Sequence, residues 1–264
     1  MKKALVCSFF ALFAYAGFAQ DSKARLENSP RHQEWVEIKS EQRVIHSFIV
    51  YPQKEEKATA VLLIHENKGL TDWVRSVADR LAEEGYIAIA PDLLSGLAPK
   101  GGNTADFSDA DAATEAIYHL SPDQVTSDLN AVADYVLKLP SSNGKVTVAG
   151  FCWGGGRAFH FATQRPDLKA ASVFYGTFDF TRDALEKIKC PVYGFYGEND
   201  SRIDSTIPET TRLMKELKKN YDPVVYEGAD HAFMRKGEDA GDSAENKKAH
   251  DAAWERWLKL LAEI

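Results

Sequence analysis

The sequence predicts a mostly parallel, doubly wound α/β sheet with helices on both faces. Three observations carry this. Runs such as Ala60–Ile64 are continuously apolar, as strands covered on both faces are. Helix-patterned segments separate these runs, and strand–helix alternation implies parallel pairing through crossovers. The chain has 264 residues, enough for one large core and short for two.

In order, residues 20–34 are polar and read as a flexible N-terminal arm. Trp35–Ser40 and Arg43–Tyr51 have strand composition and a short polar turn between them, an antiparallel start. Ala60–Ile64 is the first covered strand. Asp72–Glu84 carries Trp73, Val77, Ala78 and Leu81 on one helical face and closes at Gly85. Tyr86–Ala90 is a strand stopped by Pro91. Residues 95–104 form a Gly/Pro/Ser-rich loop. Ala105–His119 and Pro122–Leu139 read as helices, the second capped by Ser121. Lys145–Ala149 is a strand, Gly154–Gln164 a helix, and Ala171–Tyr175 and Pro191–Tyr196 are strands. Ile207–Lys219 is a helix, Val224–Tyr226 a last short strand, and Ala244–Leu261 a closing helix. Residues 35–264 thus make one α/β domain. Ligands in such sheets bind beyond the carboxyl ends of the strands.

Residues 1–19 have the design of a signal peptide. Lys2 and Lys3 give a basic start, Ala4–Ala16 is almost wholly apolar, and Gly17-Phe18-Ala19 offers small residues at a cleavage site. The apolar run is short for a membrane span. The expected destination is the periplasm or the extracellular medium, with no membrane anchor after cleavage. Loss of Lys2 and Lys3 takes the net charge from −7 to −9. With no basic stripe, nucleic acid is excluded as a partner. Of three cysteines, Cys152 and Cys190 survive cleavage. Cys190 opens a buried strand and reads as an inert thiol rather than half of a disulfide.

The sharpest feature is Gly150-Phe151-Cys152-Trp153-Gly154-Gly155, after a strand and opening a helix. That is the context of a nucleophile elbow with Cys in place of Ser. Glycines let strand and helix backbones approach, and the helix N-terminus favours thiolate at Cys152. The Trp153 N–H is placed to bind an oxyanion. A nucleophile needs a base, and the base needs an orienting acid. Asp200 stands just past the strand ending at Tyr196, with Asp204 as a possible substitute. Among seven histidines only His231 and His250 follow Asp200. His250 shares a helix face with Trp254, Trp257 and Leu261 and reads as packing. His231, on a Gly-containing loop, reads as the base. The triplet Asn199-Asp200-Ser201 matches a glycosylation acceptor by coincidence. There is no metal-ligand spacing, P-loop or dinucleotide fingerprint, so no cofactor is expected.

Five segments in order carry a family resemblance: Ile64-His65-Glu66, Ala90-Pro91-Asp92-Leu93, Gly150–Gly155, Tyr196-Gly197-Glu198-Asn199-Asp200 and Asp230-His231-Ala232-Phe233-Met234-Arg235. From about Val44 onward the chain resembles the dienelactone hydrolase family of the α/β-hydrolase fold. The resemblance implies a Cys152–His231–Asp200 triad, a Glu66 that touches the resting cysteine and helps switch it to thiolate, and the Asn67 amide as second oxyanion donor. Dienelactone-cleaving members hold a substrate carboxylate with two arginines. Arg235 matches one; it is either a substrate ligand or a surface charge. The other would follow Leu93, where Leu94-Ser95-Gly96-Leu97 stands instead, so dienelactone itself is doubtful as substrate.

The expected function is hydrolysis of a small carboxylic ester or lactone through an acyl-enzyme. The alternatives are a thioesterase, peptidase or acyltransferase with the same triad, a non-catalytic binding protein on this fold, and a redox thiol protein. The last lacks C-x-x-C and a nearby resolving cysteine. Oligomeric state is not legible. Edman sequencing of the exported protein should begin at Gln20 or within a few residues; an exported protein that retains Met1 contradicts cleavage.

Overall fold

The computed structural model describes residues 19–41 and 43–264. The apolar run and basic start of the expected signal peptide lie outside the described residues.

The strands are β1 (Gln33–Lys39), β2 (Val44–Val50), β3 (Ala58–Ile64), β4 (Ile87–Pro91), β5 (Ser142–Phe151), β6 (Ala171–Phe174), β7 (Val192–Gly197) and β8 (Tyr221–Tyr226). The helices are α1 (Ala19–Asn28), α2 (Asp72–Glu83), α3 (Ala110–Tyr118), α4 (Pro122–Leu137), α5 (Trp153–Gln164), α6 (Arg182–Glu186), α7 (Ser201–Asp204), α8 (Ile207–Glu216), α9 (Phe233–Lys236) and α10 (Ala244–Ala262). One eight-stranded sheet runs β1-β2-β4-β3-β5-β6-β7-β8. β1 and β2 are antiparallel to their neighbours, and β4 through β8 run parallel with β3. This is the α/β-hydrolase architecture.

β3 is buried along its whole length, which explains its unbroken apolar run. Its residues alternate between two cores. Leu62 and Ile64 join Leu129, Val132 and Phe161 from α4 and α5. Val61 and Leu63 join Val77, Leu81 and Trp257 from α2 and α10. Each layer of helices therefore covers one face of the sheet.

Boundaries move by a few residues from expectation. The expected helix over 105–119 shortens to Ala110–Tyr118, because Asp109 caps it by accepting from Ala112 N. The short helices α6, α7 and α9 lack enough turns to show an apolar period.

The N-terminal arm is a correction. Residues 19–28 form a helix, and the segment beyond it docks on α2. Its polar composition reads as solvated, but these side chains answer a buried charge. Asp79 on α2 is fully buried, and Arg31 binds both its carboxylate oxygens at 2.9 and 2.6 Å. Ser29 and Gln33 also donate to it, and Arg25 lies 3.3 Å away. These partners hold the Asp79 carboxyl below its ordinary range, against the opposing effect of burial. Among the described residues no helix is long and apolar enough to cross a membrane.

Asp79→Ala strips Arg31 of its counter-charge in a buried setting. Urea unfolding should show a loss of about 3 kcal/mol. A loss under about 0.5 kcal/mol, as at an ordinary surface position, would mean that the segment before β1 is not docked through Asp79.

Candidate active site

The chain leaves β3 for β4 on one side and returns to β5 on the other. A crevice opens at such a reversal, beyond the carboxyl ends of the strands. Glu66 follows β3 and Cys152 follows β5, the two strands flanking that point. Asp200 follows β7 and His231 follows β8.

Cys152 sits at φ 55°, ψ −117°, the N-cap of α5. A non-glycine residue there is strained and needs its surroundings to hold it. The glycines make the turn possible. A Cβ at Gly150 would lie 2.0 Å from the Gly154 carbonyl oxygen, and one at Gly154 would lie 2.4 Å from the carbonyl oxygens of Ile64 and His65. As the first residue of α5, Trp153 has an N–H with no intrahelical acceptor. Helix start and sulfur thus share one turn, as the elbow motif predicts.

His231 joins the other two groups. Its Nε2 lies 3.1 Å from Cys152 Sγ, and its Nδ1 lies 2.5 Å from Asp200 Oδ2. Burial disfavours the imidazolium. Hydrogen bonds to Asp200 and Cys152, reinforced by their charges, outweigh it and push the His231 pKa up to about 9. The histidine loop is fixed from behind. Asn199 Nδ2 donates to Asp230 Oδ1 at 3.1 Å, and Asn246 Oδ1 accepts from Asp230 N at 2.8 Å.

Asp204, the substitute acid, makes no bond to His231. Burial and the nearby Asp200 raise its pKa. His250 is buried, and its Nδ1–H donates to the Met234 carbonyl, the packing role expected of it. Cys152 and Cys190 are both free thiols. Burial pushes the Cys190 thiol up to about 11.

Glu66 differs from expectation. Its Oε2 accepts from Arg235 Nε at 2.9 Å, its Oε1 is buried without a partner, and among the described residues neither oxygen bonds Cys152. The cysteine faces His231 instead. Arg235 is therefore neither a loose surface charge nor a wholly free substrate ligand, because Glu66 occupies its Nε. Asn67 is half-buried in the turn after β3. Its side chain makes no hydrogen bond among the described residues.

Three residues escape the sequence reading. His65 is fully buried, with Nδ1 2.8 Å from the Glu66 carbonyl oxygen and its ring stacked 5.7 Å from Trp153. Burial lowers its pKa, so it is a neutral strut. Tyr175 stands edge-on to His231 at 5.1 Å, with a buried, unpartnered hydroxyl. Arg157 lies four residues after Trp153, hence on the same face of α5, and its guanidinium carbon is 5.1 Å from the Trp153 ring. That spacing was the available signal.

A cavity of about 160 Å³ adjoins Cys152, lined by Trp153, Arg157, Tyr175 and Phe178 among others. A larger one, about 920 Å³, reaches the site only through Glu66 and Arg235. Of the two, the smaller is the one lined by Cys152. Among the described residues no cluster of His, Cys, Asp and Glu could hold a metal ion.

Fold and site together define an α/β-hydrolase with cysteine at its elbow. A profile of the dienelactone hydrolase family matches residues 45–264, and the chain belongs to that family. A Saccharolobus solfataricus protein provisionally named carboxymethylenebutenolidase is 32% identical over 253 residues, 83% of this chain and 94% of its own length. An Escherichia coli K12 protein with the same provisional name is 30% identical over 222 residues, 80% of this chain and 79% of its own. A crystal structure from Klebsiella pneumoniae, provisionally described as a dienelactone hydrolase, superposes with a TM-score of 0.77 at 25% identity. It covers 89% of this chain and 99% of that one.

The raised pKa of His231 yields a pH prediction. Its folded value exceeds the unfolded one, so the stabilisation it contributes is complete below about pH 6.5 and is lost as pH rises through about 9. NMR titration of the His231 ring should give a midpoint near pH 9. Asp200→Asn removes a charged acceptor and should move that midpoint down, toward the ordinary value. Equal midpoints in the two proteins would rule out Asp200 as the partner that tunes His231.

Proposed function

We propose that this chain hydrolyses a small carboxylic ester or lactone through an acyl-enzyme on Cys152. The observation that carries the reading is His231 bridging Cys152 Sγ and Asp200 Oδ2 at a strained elbow. Membership of the dienelactone hydrolase family supports the ester or lactone bond as the target.

The Cys152 thiolate attacks the carbonyl carbon, and the carbonyl electron pair moves to oxygen. The N–H groups of Trp153 and Asn67 stabilise that oxyanion. Collapse breaks the bond between the carbonyl carbon and the alcohol oxygen, which takes the proton from His231 Nε2. In a lactone the alcohol stays tethered to the acyl group. His231 then removes a proton from water, and the hydroxide attacks the thioester. The acid departs, Cys152 leaves as thiolate, and His231 keeps the proton for the next cycle. Asp200 holds the Nδ1–H, so Nε2 faces the sulfur throughout. Glu66, balanced by Arg235, keeps a neutral edge beside the nucleophile.

We also propose that the enzyme acts outside the cytoplasm, after loss of residues 1–19. The basic start, apolar run and small-residue site support this.

Iodoacetamide should alkylate Cys152 well before Cys190, whose thiol burial holds near 11, and p-nitrophenyl ester hydrolysis should fall in parallel. Cys152→Ala should lower kcat by on the order of a thousandfold or more. Cys152→Ser should keep a weaker activity, since His231 must then deprotonate a far less acidic group. Full activity in Cys152→Ala, or inactivation that tracks Cys190, would remove the cysteine from the mechanism.

A further inference from the structure

Arginines that are partly buried in this protein come with carboxylates. Arg31 meets Asp79, Arg43 meets Asp128, Arg80 meets Glu238, Arg165 meets Asp134 and Asp167, and Arg235 meets Glu66. Arg157 is the exception. Among the described residues no carboxylate pairs with it, and its Nη1 is buried without any acceptor. Burial alone accounts for the lowering of its pKa, with no compensating charge. Its position is nevertheless fixed, because the guanidinium carbon lies 5.1 Å from the Trp153 ring and 5.6 Å from the Phe178 ring. Among the described residues a titratable neighbour that feels it is another base, His160, whose ring lies tilted to Phe178 at 4.5 Å. Burial and the Arg157 charge lower the pKa of His160.

A half-buried guanidinium without a counter-charge is costly, and a buried donor without an acceptor calls for an explanation. Here the location supplies one. Arg157 lines the small cavity that contains Cys152, and Arg202 adds a second cation at its exposed rim. A guanidinium held between two aromatic faces presents its N–H edge to a planar, two-oxygen anion. Arg235, on the other flank of the nucleophile, has Nε committed to Glu66.

We propose that Arg157 binds a carboxylate of the substrate, so that the preferred ester or lactone carries a negative charge on the Trp153–Phe178 side of Cys152. This rests on the reading of Cys152 as the hydrolytic nucleophile. The anion would be held through the Arg157 N–H groups and released with the product acid; no bond to Arg157 forms or breaks.

The test compares three p-nitrophenyl esters of similar length: the glutarate hemiester (anionic), the pentanoate (neutral) and the 4-trimethylammoniobutanoate (cationic). In the wild-type enzyme kcat/KM should fall in that order, with the anionic ester ahead of the neutral one by about tenfold or more, mainly through KM. The advantage should shrink as ionic strength rises. In Arg157→Gln the anionic-to-neutral ratio should fall toward one, and Arg157→Lys should retain part of it. A wild-type ratio of one or less overturns the proposal even if the variants do not fold. So does a ratio that survives in Arg157→Gln, or one that is lost only in Arg235→Gln. A wild-type enzyme that cleaves none of the three esters overturns the ester-hydrolase reading, and the proposal with it.

Discussion

The close approach of α5 to the ends of β3 and β6 is the constraint on which the site depends. A Cβ at Gly155 would stand 2.6 Å from the Phe174 carbonyl oxygen, and one at Gly176 would stand 2.4 Å from the Gly156 nitrogen. Only bare backbone fits between helix start and sheet. With the helix this close, the chain must reverse within one residue, and Cys152 takes the positive φ that results. Neighbouring bonds hold it there. Cys152 N donates to the Phe174 carbonyl at 3.0 Å, and the Cys152 carbonyl accepts from Gly155 N at 3.0 Å. A strain of order 1–3 kcal/mol persists because so many contacts fix the same turn. Its return is a sulfur that projects beyond the sheet while the N–H groups of the helix start remain beside it.

The charges around that sulfur fall into two kinds. His231 with Asp200, and Arg235 with Glu66, are balanced pairs that orient groups without giving the cavity a net sign. Arg157 and Arg202 have no such balance, so the walls of the cavity are positive in a chain whose formal charge is −7. The overall charge of the chain therefore differs in sign from the charge local to this cavity. Anions held off by the bulk of the surface would find an attractive well beside Cys152.

Much of this was legible in the sequence for a physical reason. β3 and β5 are covered on both faces, and their apolar runs announce it. The elbow is legible because its glycines answer to backbone contacts a few residues away. Asp200 and His231 were reachable because each follows a strand end in the order the fold requires. What escaped depends on contacts distant in sequence. The arm from residue 20 onward looks solvated until Asp79, some fifty positions later, is known to be buried. Glu66 was assigned to Cys152 by resemblance, and Arg235, 169 residues away, takes its charge instead. Arg157 is an ordinary helix cation on paper; only the absence of any carboxylate facing it makes it unusual.

The same reasoning reaches the far side of His231. Its position depends on a loop whose next residue, Ala232, has φ 64°, a strained value for alanine. α9 begins immediately after, too short to hold itself. Support comes from α10 and α2. His250 donates to the Met234 carbonyl at 2.8 Å, and Arg80 lies 4.1 Å from the Trp254 ring while pairing with Glu238. Asn246 at the start of α10 receives the Asp230 N–H. The histidine thus owes its place to helices on one face of the sheet, while the cysteine owes its place to a helix on the other. The sheet is the element common to both, with β5 leading to Cys152, β7 to Asp200 and β8 to His231. A substitution at Asn246 or His250 should consequently act on the His231 loop first, whereas one at Trp257, which packs on Phe151 and Phe174, reaches the elbow as well.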